Sequence, residues 1–184
     1  MHTWDEFQYF LGTVRIFWHF GDMDDEKLSK KPSYTPQQAR LKAEAYCAFQ
    51  ERSQQEVRDR LYGWGMYKDE VEAIIADLIT DNFINEERFA RSYASGKFTL
   101  KGWGRLKIKQ GLQYKAVSRP LIALALNSLD EAAYRSKLLE ILKKKAGSLT
   151  ERNPYKRNHQ LWRHAQAKGY ESDIILEILK DNEL

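Results

Sequence analysis

The same apolar spacing surrounds three points of this chain, Gly65, Ala116 and Gly169, and that recurrence limits the possible folds more than any other feature. Eight residues before them stand Val57, Ile108 and Leu161, and four before stand Leu61, Leu112 and Ala165. Six residues after stand Val71, Ile122 and Ile175; nine after, Ile74, Ala125 and Ile178; ten after, Ile75, Leu126 and Leu179. Steps of three and four place residues on one side of an α-helix, so each point joins two helices that turn apolar faces toward each other. A unit of about fifty residues repeated in this way buries its faces against neighbouring copies.

Local signals agree with helices throughout. Thr35 and Pro36 supply an N-cap and a first-turn proline for a helix over 37–52, with Leu41, Ala45, Ala48 and Phe49 as its apolar stripe. Ser53 stands three residues before Glu56, the spacing of a capping box, and Val57 and Leu61 follow before Gly63 and Gly65 stop the helix. A third helix is expected over 67–81, facing inward through Val71, Ile74, Ile75 and Leu78. Further leading helices over 86–98 and 130–145 complete three copies, and no alternating run bounded by turn residues suggests a strand. The expected fold is all-α: three tandem three-helix repeats, helix-turn-helix-like, over 35–84, 85–129 and 130–184, in an elongated, curved stack.

The chain has 184 residues, 42% hydrophobic and 30% charged, which suits a folded, water-soluble protein. One cysteine, Cys47, allows no internal disulfide and no cysteine-rich zinc site, in keeping with a reducing cytoplasm. No apolar run reaches the ~18–20 residues of a membrane span, so no membrane association is expected. Residues 1–34 stand apart as an extension and linker. Phe7, Phe10, Leu11, Val14, Phe17 and Trp18 recur at helical spacing and could form a docking helix; Asp5, Glu6 and Arg15 fit a signal peptide poorly. A second reading makes Met23 the true start.

Charge is distributed unevenly. Residues 1–87 hold 10 Lys/Arg against 17 Asp/Glu, a net −7, whereas 88–184 carry a net +11. Between Glu87 and Asp130 there is no carboxylate, while Arg88, Arg91, Lys97, Lys101, Arg105, Lys107, Lys109, Lys115 and Arg119 fall inside the gap. Such a run is either a surface kept positive for an anionic partner, phosphate backbone foremost, or a solvated face that balances the acidic half. With Ile108 and Leu112 inward on a helix starting near Gly104, Arg105 and Lys109 share one flank and Lys107 takes the other, all reachable from outside. Lys97 and Lys101 are placed in the preceding connection. Trp103, between Gly102 and Gly104, either stacks on a base or packs over its own helix.

The stretch DNFINEERFARSYASGKFTLKGWGRLKIKQGLQYKAVS resembles the central motif of the RecX family, bacterial regulators of the RecA recombinase. The matching residues are Phe83, Ile84, Asn85, Arg88, Phe89, Ala90 and Tyr93, then Gly104, Arg105, Ile108, Leu112 and Lys115. RSQQEVRDRLYGWG and LWRHAQAKGYESDIILEIL resemble the family's first and closing segments. Two departures stand out: Ala116 replaces the glycine common in the family's Lys-Gly-Ile turn, and residues 1–34 have no counterpart. The resemblance implies a non-enzymatic, cytoplasmic, monomeric protein without cofactor or metal, which binds the RecA filament and restrains recombination. The basic run, which offers phosphate contacts without an evident base-reading set, predicts weak, salt-dependent, sequence-indifferent binding to single- and double-stranded DNA. The residues then expected to touch DNA or partner are Arg88, Arg91, Lys97, Lys101, Trp103, Arg105, Lys107, Lys109 and Lys115.

Other groups have plainer readings. Asn85 followed by Glu86 and Glu87 is a helix cap with first-turn carboxylates. SGKFT at 95–99 lacks both the earlier glycine and the strand of a phosphate loop. His159 and His164, five apart, do not face one metal, and no third ligand is near. Lys143, Lys144 and Lys145, with Lys156, Arg157 and Arg163, either extend a phosphate contact or serve a helix C-terminus. The rival function is a helix-turn-helix transcription regulator, which three unequal tandem units disfavour.

Overall fold

The computed structural model describes residues 34–182, and the docking-helix and Met23 readings fall outside that range. Among the described residues there are nine helices and no strand. They are α1 (Pro36–Phe49), α2 (Gln54–Gly63), α3 (Lys68–Thr80), α4 (Glu86–Lys101), α5 (Arg105–Tyr114), α6 (Arg119–Asn127), α7 (Glu131–Gly147), α8 (Pro154–Lys168) and α9 (Ser172–Asn182). Each successive trio encloses its own core.

The recurring offsets are the cores. Val57, Ile108 and Leu161 are fully buried, as are Leu61, Leu112 and Ala165 one turn on. Val71, Ile122 and Ile175 meet them from the partner helices. The three reference points share one backbone conformation: Gly65 has φ 86°, Gly169 φ 90° and Ala116 φ 57°. The second unit therefore keeps the left-handed turn without a glycine, at the steric cost an L-residue bears there.

Caps explain where helices begin. Thr35 and Gln38 exchange bonds of 3.0 and 3.3 Å before α1. The buried Ser53 Oγ accepts from the Glu56 N–H at 3.2 Å, while Glu56 Oε2 accepts from the Ser53 N–H at 3.1 Å. Asn85 caps α4 and Asp130 caps α7 through their side-chain oxygens.

Two expectations fail. Helix α1 buries Ala39, Ala43 and Cys47, not Leu41, Ala45, Ala48 and Phe49; Leu41 is 65% exposed and Phe49 85%. Small side chains let α1 lie close to its neighbours, and Arg40 on the adjoining flank reaches Asp77 and Asp81 at 3.0 and 2.7 Å. The second difference is that α4 continues three residues past 98 to Lys101, because no breaker intervenes before Gly102, which takes φ 61° as the C-cap. Lys101 as well as Lys97 thus lies on α4, and neither is in a connection.

Candidate nucleic-acid interface

The acid-free run divides into committed and uncommitted charges. Arg88 pairs with Glu51 and also donates to the Asn82 side chain and carbonyl, fastening α4 to the end of the first trio. Arg91 meets Glu87 one turn back at 2.9 Å. Lys115 donates to Glu56 Oε1 at 2.7 Å, so one carboxylate caps α2 and also holds the end of α5. Burial alone would raise the Glu56 pKa, but the Lys115 ammonium and the Ser53 N–H outweigh it and hold the carboxyl below its ordinary range.

Arg105 is the most committed. Its guanidinium donates to Glu131 at 2.7 Å, lies 3.7 Å from Glu171 and stacks 4.1 Å over the Tyr134 ring. Its backbone N–H donates to the Tyr134 hydroxyl at 2.8 Å, and that hydroxyl donates to Glu171 at 2.6 Å. The Gly104 N–H reaches the Lys168 carbonyl at 2.9 Å and the Leu106 N–H the Gly169 carbonyl at 3.0 Å. Gly104 carries no capping side chain, so the C-terminus of α8 and Tyr134 supply acceptors for three of the free N–H groups that open α5. The approach is so close that a Cβ on Gly104 would lie 2.2 Å from the Gly169 oxygen. Positive and negative helix ends meet there. The partners of Arg105 lie in the third repeat, which flank arithmetic on a single helix could not reveal.

Trp103 is half-buried against the second core, with the ammonium groups of Lys97 and Lys107 each 5.0 Å from its ring centroid. Lys107 also donates to the Ala167 carbonyl at 3.4 Å. Lys97, Lys101 and Lys109 have no carboxylate partner among the described residues. Lys97 and Lys101 share the outer face of α4 with Leu100, beside a cleft of about 410 Å³ that also reaches Lys115, Glu51 and Glu56. Lys109 lies apart with Arg119 and Gln113.

Of the second basic group, Arg157 closes the end of α7, donating to Ala146 O at 2.9 Å and Leu149 O at 3.4 Å. Lys144 and Lys145 instead border a cleft with Lys101, Lys137, His164 and Lys168. Sequence reasoning named Lys144 and Lys145 but left Lys137 and Lys168 out, because residues from α4, α7 and α8 meet there only through tertiary packing. No described helix is long and apolar enough to cross a membrane.

The models of the first, second and third three-helix domains of RecX match residues 39–78, 85–126 and 133–179 in order. Regulatory protein RecX of Clostridium botulinum (strain Eklund 17B / Type B) is 33% identical over 132 residues, covering 71% of this chain and 61% of that protein. Regulatory protein RecX of Clostridium perfringens (strain 13 / Type A) is 31% identical over 136 residues, with 70% and 61% covered. The chain thus spans about 61% of the length of these curated relatives. The crystal structure of RecX from Lactobacillus salivarius superposes with a TM-score of 0.75 at 23% identity, covering 80% of this chain and 96% of that one, a likeness of fold.

Proposed function

This chain belongs to the RecX family, and from that premise we propose that it binds the filament of RecA on DNA and restrains its ATPase and strand exchange. The observation that carries the reading is the unbroken order of three matched domains from residue 39 to 179. A recombinase filament offers phosphate backbone and a repeating protein surface. The uncommitted ammonium groups of Lys97, Lys101 and Lys109 suit the first through non-specific Coulombic contact. The nominated residues Arg88, Arg105 and Lys115 act in this reading mainly by fixing the repeats, Arg91 is paired within α4, and Lys107 and Trp103 support Lys97.

Such a protein works without chemistry of its own. By preferring one filament conformation it shifts an existing equilibrium, and its effect is bounded by its differential affinity for the two states. When it spans neighbouring protomers, less than one molecule per RecA subunit suffices.

The test is ATP turnover by RecA on single-stranded DNA with increasing amounts of the protein. Turnover is expected to fall at substoichiometric ratios, and Lys97→Glu/Lys101→Glu/Lys109→Glu is expected to blunt the fall while helicity is kept. Arg105 is a poor site for that reversal, since it would open the join between α5 and α8. Unchanged turnover with no co-sedimentation on filaments overturns the proposal.

A further inference from the structure

A cleft of about 450 Å³ opens where the last turn of α4 meets α7 and the end of α8. Five lysines line it, Lys101, Lys137, Lys144, Lys145 and Lys168, with His164, and Glu140 is the single carboxylate. Lys137 holds Glu140 at 2.9 Å. The other four ammonium groups have no ion-pair or hydrogen-bond partner among the described residues.

Lysines near helix C-termini ordinarily serve the exposed carbonyls, and three helices end close by. Here the four ammonium groups donate to none of those carbonyls, and each of the three ends has donors of another kind. At the end of α4 the Gly102 and Trp103 N–H groups reach Phe98 O and Lys97 O, and at that of α7 Ser148, Leu149 and the Arg157 guanidinium reach Lys145 O and Ala146 O. The end of α8 is closed by Gly169, Tyr170, Gly104, Leu106 and Lys107. Three helix ends also contribute only about −1.5 charges, well short of four ammonium groups. The excess positive charge is therefore directed at something outside the fold.

We propose that this cleft binds the phosphodiester backbone of single-stranded nucleic acid, held by Lys101, Lys144, Lys145 and Lys168. The choice of nucleic acid rests on the function proposed above and on continuity, since Lys101 and Leu100 also border the cleft along α4 that leads to Lys97 and Lys115. A strand entering here would run on past Lys101 toward Lys97 on the outer face of α4. His164 adds a proton coupling. It is half-buried on α8, facing Lys145 and Lys144 of α7, Lys168 of its own helix, Lys101 of α4 and the neutralised Lys137–Glu140 pair. Burial first, then Lys145 and Lys168, hold its pKa below the ordinary histidine range. Phosphates among those ammonium groups offset the positive charge that opposes protonation, so the imidazole takes up a proton as the strand binds and affinity rises as pH falls.

The experiment is anisotropy of a labelled oligothymidylate with the full chain and no recombinase, across salt and pH. Lys144→Gln/Lys145→Gln/Lys168→Gln is expected to weaken binding at least tenfold and flatten the salt dependence by about 2, near 0.7 per lysine. Lys156→Gln/Arg163→Gln, elsewhere on α8, should leave both unchanged. The His164 pKa followed by NMR should rise on adding the oligonucleotide. An unchanged salt slope in the triple variant overturns the site, and a lowered melting temperature in place of it assigns the lysines to the helix ends. Normal oligonucleotide binding with lost co-sedimentation on filaments also overturns it, in favour of an acidic protein surface. A stationary His164 pKa overturns the proton coupling. Failure on any count leaves RecA inhibition standing, whereas absent inhibition with intact oligonucleotide binding refutes only the proposed function.

Discussion

Replacing Gly104 by alanine tests the join between the second and third repeats. Its φ of −79° suits any residue, so backbone strain does not enter. What enters is space: the added Cβ would lie 2.2 Å from Gly169 O, 2.3 Å from Gly169 C and 2.4 Å from Tyr170 N. All three are backbone atoms and cannot swing aside. Restoring an ordinary carbon–oxygen separation of about 3.4 Å moves the two helix ends apart by about 1 Å. That displacement stretches the bonds from Gly104 to Lys168, Leu106 to Gly169 and Arg105 to Tyr134 beyond useful length. At about 1 kcal/mol each, their loss is about 3 kcal/mol, and alanine's smaller unfolded-state entropy returns about 0.5–1 kcal/mol. The expected net loss is about 2–2.5 kcal/mol. Denaturant unfolding followed by helicity gives the total, and hydrogen exchange at the Gly104, Arg105 and Leu106 amides locates it. The control is Gly96→Ala within α4, where the new Cβ meets nothing within 4 Å and should add about 0.5–1 kcal/mol. Wild-type stability in Gly104→Ala with those amides still protected would refute the reasoning.

Three further outcomes are expected. Ala116→Gly relieves a left-handed alanine at φ 57°, a gain of about 1–2 kcal/mol less about 0.5–1 kcal/mol for glycine's extra freedom; a lower unfolding midpoint would contradict this. Tyr134→Phe removes a hydroxyl that accepts from Arg105 and donates to Glu171, and should lower stability by about 1–3 kcal/mol with faster exchange of the Arg105 amide. Glu56 has a depressed pKa when folded, so its contribution is complete above the ordinary glutamate value and is lost as pH falls through the folded one. The stability gap between wild type and Lys115→Gln should therefore narrow on acidification in denaturant titrations, and parallel curves would remove the Glu56–Lys115 pair from the account.

The helix pairs around Gly65, Ala116 and Gly169 were legible because large apolar residues at fixed offsets have one way to be buried. Helix α1 misled because its contact face is made of Ala39, Ala43 and Cys47, whose small size carries little hydrophobic signal, while Leu41 and Phe49 face outward. The left-handed turn at Ala116 follows from comparison with its glycine counterparts, not from alanine's own preference. For the candidate interface, the sequence supplied the excess of positive charge but not its allocation. Glu131 and Glu171 neutralise Arg105 from the next repeat, and Glu56 neutralises Lys115 from the previous one. The acid-free window was thus a property of position along the chain, and tertiary packing brought carboxylates to it from both sides.

The meeting of α5 with α8 also bears on the order in which the chain is made. A ribosome delivers Gly104, Arg105 and Leu106 long before it delivers Lys168 and Gly169, so the opening N–H groups of α5 wait in water for acceptors that do not yet exist. The middle repeat can gather its apolar residues early, but it reaches its final rigidity only when the third has emerged and folded. Synthesis thus sets a schedule in which Lys107, just past that junction and bonded to the Ala167 carbonyl, takes up its place after the rest of its own repeat.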